Sequence, residues 1–330
     1  MKRIAAVCAL ALGVASCGDG NPFFPEEDTG GGGTTPTTPA SGVPANILND
    51  LDRIDFNAAT NTLTVTGLTQ DGVPLVNEYR AIGTSFVDGF TTFTGQNDPL
   101  GRHATAFVAS RDGGLQAGMV LTGGQFNRFF GGTFFERTGG YTPPTAPASR
   151  FDVTYVGNYA GGLNLPGPIT DLFPVGAGVD PSVDTPNQAG YVTALMFVNV
   201  DLNDMSVEGE IFNRTAVLAG VDDGTGNIVP AGTSTNVTGF LGLPDLVLVE
   251  GSLAGDGTFN GNLEVDGEVG TDVGDFAGVI GGPDGNAIVG GTTVENFTPE
   301  FTNEIEYGVF VLDICTAAST DPICINALAP

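Results

Sequence analysis

From about residue 45 onward, apolar side chains recur at every second position in short runs broken by Gly, Asn and Asp. Leu63 and Val65 alternate with Thr62, Thr64 and Thr66. Val207, Gly209 and Ile211 alternate with Ser206, Glu208 and Glu210, and Leu263 and Val265 with Asn262, Glu264 and Asp266. A period of two puts one set of side chains on each face of a strand, so these runs read as antiparallel strands with one wet face. Asn203-Asp204 lies between two such runs and predicts a tight hairpin. Ala45 to Asp52 is the best helical segment, and it is short. The chain holds 51 Gly and 21 Pro in 330 residues, together well above their usual combined share of roughly 12%, so turns are plentiful. Many short strands imply a sandwich or a barrel, and closure into a barrel removes exposed edges. A lipid-spanning barrel would present an apolar band outward. Here Glu208, Glu210, Glu264 and Asp266 hold the outward register, so the expected cylinder is bathed in water.

Charge narrows the chemistry. Acids outnumber bases 38 to 10, the only Lys is Lys2 and the only His is His103. Without lysine the folded part can form no Schiff base and no P-loop. A lone histidine builds no multi-histidine zinc centre and no assignable Ser-His-Asp set. Nucleic acid is excluded as a partner, because its phosphates call for clustered positive charge. Carboxylates are so common that no pair stands out as catalytic. The expected chain is not an enzyme and needs no cofactor.

The N-terminus reads as an address. Lys2-Arg3 precedes the apolar run Ile4 to Val14, which ends in Ala15-Ser16-Cys17. A basic start, an apolar stretch of this length and small residues at its end make a secretory signal, too short for a membrane span of about 20 residues. Val14-Ala15-Ser16-Cys17 resembles the bacterial lipobox, in which the cysteine is acylated and becomes the new N-terminus. Loss of Lys2 and Arg3 would move the formal charge from −28 to −30. Gly18, rather than Asp, follows the cysteine, which points to the outer membrane of a Gram-negative cell. Residues 18–44, with Gly30 to Gly33 and a Thr/Pro run to Pro39, read as a tether. Its 27 residues would span roughly 30 Å on average.

The folded part divides by charge. Arg53, Arg80, Arg102, Arg111, Arg128, Arg137 and Arg150 precede residue 151, whereas residues 151–330 hold 25 acids and only Arg214. Pro143-Pro144-Thr145-Ala146-Pro147 falls at the change, as a linker would. The expected organisation is a signal peptide over 1–16, a tether over 17–44, a handle-like antiparallel β domain over 45–147, a barrel over 148–314 and a tail over 315–330.

Several segments of the second half carry a resemblance. They are Thr154 to Gly161, an aromatic-Gly strand; Ala194 to Val200 and Met205 to Ile211, a strand, turn and Gly-containing strand; and Gly257-Thr258-Phe259-Asn260-Gly261. Gly274 to Gly291 reads as a strand, a Gly-Pro turn and a strand closing in Gly-Gly, and Tyr307-Gly308-Val309-Phe310 as a closing strand. Together they resemble the barrel domain of the transferrin-binding protein B family of surface lipoproteins. The resemblance implies an all-β fold in which a handle-like domain is followed by a small eight-stranded antiparallel barrel. It also implies a non-catalytic binding module, lipid-anchored at the cell surface, holding a protein or iron-related ligand for an outer-membrane receptor. The alternative is a structural or adhesive surface protein without cargo.

Among individual residues, Cys315 and Cys324 flank Asp321-Pro322 in an exported chain and are expected to pair. Asp222-Asp223-Gly224, Asp256-Gly257 and Asp284-Gly285 read as hairpin turns, with calcium binding as the lesser alternative. His103 reads as a strand-edge residue rather than a ligand. Phe126, Phe129, Phe130, Phe134 and Phe135 are the densest aromatic cluster and read as core, with an exposed patch as the other option.

Overall fold

The computed structural model describes residues 42–68, 76–81, 86–126, 128–146, 152–168, 170–180, 182–219, 238–299 and 301–328. Its first half is a seven-stranded antiparallel meander, paired in chain order. The strands are β1 (Leu51–Asn57), β2 (Thr62–Gly67), β3 (Val76–Ala81), β4 (Thr91–Gly95), β5 (Ala104–Arg111), β6 (Leu115–Thr122) and β7 (Gly131–Arg137). The outer strands approach each other. Asp50 and Gly131 exchange hydrogen bonds, and Arg53 of β1 reaches Glu136 of β7 at 3.2 Å. The predicted helix shrinks to one turn, α1 (Ala45–Leu48). Asn49 follows it at φ 48°, left-handed backbone that ends the helix, and Leu51 already opens β1.

The second half is a closed barrel. Its strands are β8 (Asp152–Pro166), β9 (Ala189–Asp201), β10 (Ser206–Ala219), β11 (Thr238–Gly242), β12 (Leu246–Leu253), β13 (Thr258–Val265), β14 (Asp272–Gly281), β15 (Ala287–Glu295) and β16 (Ile305–Ile314). Strands β8, β9, β10 and β12 to β16 pair antiparallel around the full circle. The short β11 pairs with the end of β10 that β12 does not reach. The Asn203-Asp204 hairpin joins β9 to β10, with Asp201 Oδ1 accepting both backbone N–H groups. Each segment quoted for the family resemblance lies on these strands or their turns: β8, β9, β10, β13, the β14–β15 hairpin and β16.

An eight-stranded cylinder is just wide enough for its interior to fill with side chains. Tyr155, Tyr159, Met196, Phe259, Phe276 and Phe310 fill this one, and Phe259 and Phe310 stack with centroids 6.4 Å apart. The predicted alternation holds: Val207, Ile211, Leu263 and Val265 are buried inside.

The meander packs on the outside of the barrel. Phe107, Met119, Leu121 and Phe135 share one apolar core with Ala160, Val279, Val289, Val309 and Val311. Glycine permits that approach. A Cβ at Gly162 would strike Met119, and one at Gly291 would strike Thr133. The Gly-Gly pair read from the sequence as a strand end lies in the middle of β15, and its Gly291 seats the neighbouring sheet. After β16, Cys315 and Cys324 form a disulfide that ties α2 (Pro322–Ala327) back to the barrel. Among the described residues no helix is long and apolar enough to cross a membrane.

Candidate functional site

Three connections converge at one end of the molecule: residues 96–103 between β4 and β5, 123–130 between β6 and β7, and 167–188 between β8 and β9. Two come from the meander and one from the barrel. Asp98 Oδ1 accepts the backbone N–H groups of Leu100 and Gly101 at 2.8 and 2.9 Å, which closes the first connection into a tight turn.

Gln125, itself buried, staples all three together. Its Nε2 donates to Leu100 O at 2.8 Å and to Asp184 O at 3.1 Å. Arg102 donates to Arg128 O and Gln125 O at 2.7 and 2.9 Å and lies 4.9 Å over the Phe130 ring. Phe173 N–H donates to Gln96 Oε1 at 2.7 Å, and Asn187 N–H to Gly124 O at 3.0 Å.

What the connections present is apolar. Leu100, Phe126, Phe129, Phe173, Val175 and Val183 are all exposed, and Phe126 most of all at 61%. Phe126 has φ 54°, a conformation unusual for a bulky residue, and its N–H donates to Asp184 Oδ2 at 2.5 Å. The carboxylate thus helps hold a strained backbone that turns a phenyl ring to water. Arg128 stands exposed beside it with no ion pair among the described residues. Exposed aromatics with arginine, on a rigid frame, are the composition of a protein-binding hot spot.

Beneath this surface His103 is fully buried, which corrects the strand-edge reading. It directly precedes β5, and the barrel's long connection covers it. Its Nε2 pairs with Thr94 Oγ1 at 2.7 Å and lies 3.7 Å from Asp171 Oδ2, while Nδ1 has no hydrogen-bond partner among the described residues. Burial holds the imidazole below its ordinary pKa; Asp171 opposes that effect and Arg80 adds to it. Burial would raise the Asp171 carboxyl, but hydrogen bonds from Arg80 and Thr94 and the charges of Arg80 and His103 outweigh it and hold the carboxyl low. Arg80 grips Asp171 through both oxygens at 2.8 Å. The barrel connection is thereby fastened to β3.

The aromatic cluster read from sequence is split by the fold. Phe134 and Phe135, on β7, are buried; Phe126 and Phe129, before it, face water. Asp256 and Asp284 lie in turns, and Asp256 Oδ1 already accepts Thr258 N–H and Oγ1–H. Among the described residues no group of three metal-ligating side chains gathers. Cys17 and the Asp222-Asp223-Gly224 turn lie outside the described residues. The Gln125 staple and the left-handed Phe126 had no counterpart in the sequence reading; only the density of Phe over 126–135 marked the region.

No protein-family model matches this chain. No curated protein matches it either. Among solved structures it is similar to a double mutant of the vaccine antigen transferrin binding protein B from Haemophilus parasuis, at 10% identity and a TM-score of 0.36. The match covers 79% of this chain, which spans about half of that one, 52%. The fold described above stands on this chain's own strand pairing.

Proposed function

We propose that this chain is an outer-membrane-anchored surface lipoprotein, acylated at Cys17, whose folded part is a non-catalytic module that binds a protein ligand. In this reading residues 17–44 are the tether, 45–147 the handle-like domain, 148–314 the barrel and 315–330 the closed tail. The observation that carries the reading is the stapled end surface, where connections from both sheets hold Phe126, Phe129 and Phe173 in solvent. Exposing three phenyl rings lowers solubility and contributes nothing to the core, so a covering partner is the economical account. The resemblance of the barrel strands to the transferrin-binding protein B family puts iron-carrying proteins within the ligand class and an outer-membrane receptor beyond it.

The test uses the mature chain, immobilised and exposed to serum and to culture medium, beside the F126S/F129S/F173S variant. A saturable protein partner retained by the parent and lost by the variant, with thermal unfolding unchanged, supports the reading. A partner held equally by both refutes the assigned surface. No partner for either favours the structural or adhesive alternative. Mass spectrometry of the mature N-terminus tests the anchor, and an unmodified Cys17 removes it.

A further inference from the structure

We infer that the outer wall of the barrel over β9, β10 and β12 is a second docking surface, shaped for a basic, partly apolar segment of another protein chain. The meander's core takes in residues of β14 to β16, of β8 and of the start of β9, where Tyr191 packs on Phe86 and Phe107, but among the described residues none of β10 or β12. A bulge shapes this wall. Between Val249 and Ser252, β12 carries one residue more than either neighbour: Val207 and Gly209 of β10 face Gly251 and Leu248, and Asn262 and Asn260 of β13 face Val249 and Ser252. A bulge bends its strand and re-aims its side chains. Beside it the surface sinks into a groove of about 550 Å³.

Phe197, Val247 and Val249 supply the apolar part of the groove, and Phe212 backs Phe197 with ring centroids 6.2 Å apart. Glu208 and Glu210 line the same groove with Asn199 and Ser206, and among the described residues no basic side chain does. Burial, together with the charges of Asp245 and Asp266, pushes the Glu210 carboxyl above its ordinary value. A cation placed there would relieve that repulsion. Among its described residues the barrel half supplies none, because the one base there, Arg214, is sealed inside against Glu306.

The occupant follows from the charge. Anionic membrane surfaces are repelled by this wall. Of a second copy's described surface arginines, Arg53, Arg80 and Arg111 are ion-paired and Arg102 and Arg137 are bound to backbone carbonyls, which leaves the exposed Arg128, one charge against the two carboxylates of the groove. A basic partner with apolar side chains meets both features of the groove. This surface is independent of the one holding Phe126.

The probe is a synthetic peptide of alternating Lys and Phe, titrated by fluorescence anisotropy at physiological salt. Non-specific attraction to an acidic protein is controlled by two double variants of equal charge, E208Q/E210Q in the groove and D52N/D88N on the meander. The groove variant should lose about fivefold or more in affinity, and the meander variant less than twofold. F197A should weaken binding without altering charge. Equal losses in the two double variants, or no loss in E208Q/E210Q, overturn the assignment. Sedimentation of the protein alone should show a monomer; a dimer that E208Q/E210Q dissolves would give the groove to a second copy and overturn the proposed partner.

Discussion

Arg214 and Glu306 form an ion pair of 2.7 Å inside the barrel, with both side chains fully excluded from water. They reach across from β10 and β16, and each is held further. Arg214 Nη1 donates to Pro244 O, and the guanidinium lies 4.8 Å over the Phe297 ring. Glu306 Oε1 accepts the Tyr159 hydroxyl at 2.6 Å, and that hydroxyl also meets Thr292 Oγ1 at 2.9 Å. Burial, and next the Glu306 charge, push the Tyr159 phenol well above its ordinary pKa, so it stays a donor.

Removing one partner of this pair leaves a bare charge in the core. Arg214→Met should therefore destabilise the protein by about 3–5 kcal/mol, read from urea unfolding. Arg214→Lys should rescue little, because an ammonium cannot reproduce the fork to Glu306 and Pro244 or the stacking on Phe297. The R214M/E306L double variant should be more stable than R214M alone, since it buries no unpaired charge. A loss under about 1 kcal/mol in R214M would show that water reaches the pair.

Gly308 lies on β16 against the same network. A Cβ there would collide with the Tyr159 hydroxyl and with Thr292 Oγ1. Gly308→Ala should expel Tyr159 from its hydrogen bonds and cost several kcal/mol, about as much as overpacking combined with the loss of one donor to a buried carboxylate oxygen. Tyr159→Phe in the G308A background should recover part of the loss, because it removes the clashing oxygen. Urea midpoints of the two variants compare them directly.

His103 gives a pH dependence with a definite sign. Burial depresses its pKa in the folded state. As pH falls below about 6.5, the unfolded chain takes up a proton that the folded chain does not. Stability should therefore be full above that pH and decline below it. The chain has no other histidine, so between about pH 6.5 and 5 no other imidazole contributes to the slope. His103→Gln should flatten the plot of unfolding free energy against pH in that window. Parallel slopes for the two proteins would mean that His103 is protonated in the fold.

How far these sites were legible depends on the backbone around them. Interior positions such as Val207 and Ile211 follow a period of two, so the barrel lining could be read directly from the sequence. Arg214 could not. Read in that register, it belongs on the wet face. A bulge between Phe212 and Thr215, with Asn213 at φ 55°, shifts the parity of β10, and beyond it the even-numbered Arg214, Ala216 and Leu218 point inward. Bulges depend on pairing with the neighbouring strand and leave no local signature. The same holds at Phe126 and Phe134: eight positions apart in one aromatic run, they are separated by where β7 begins. His103 is buried by a connection about 70 residues further along the chain, beyond the reach of local pattern.

The disulfide closes a loop of nine residues after the last barrel strand. Cys315 N–H donates to Thr154 O at 2.8 Å, so one end of the bridge is already fixed to β8. The other end sits in α2, which is too short to persist alone, although Asp321 caps it by accepting Ile323 N–H at 2.8 Å. Tethering this turn to the barrel should contribute about 2–3 kcal/mol through the entropy of the unfolded chain. Cys315→Ser with Cys324→Ser should thus lower the unfolding midpoint while leaving the barrel folded, because no barrel strand depends on the tail for pairing. Hydrogen exchange separates this outcome from global weakening: amides of α2 should lose protection, and those of β8 and β16 should keep it. Loss of protection along β16 itself would mean that the tail is a structural part of the barrel wall.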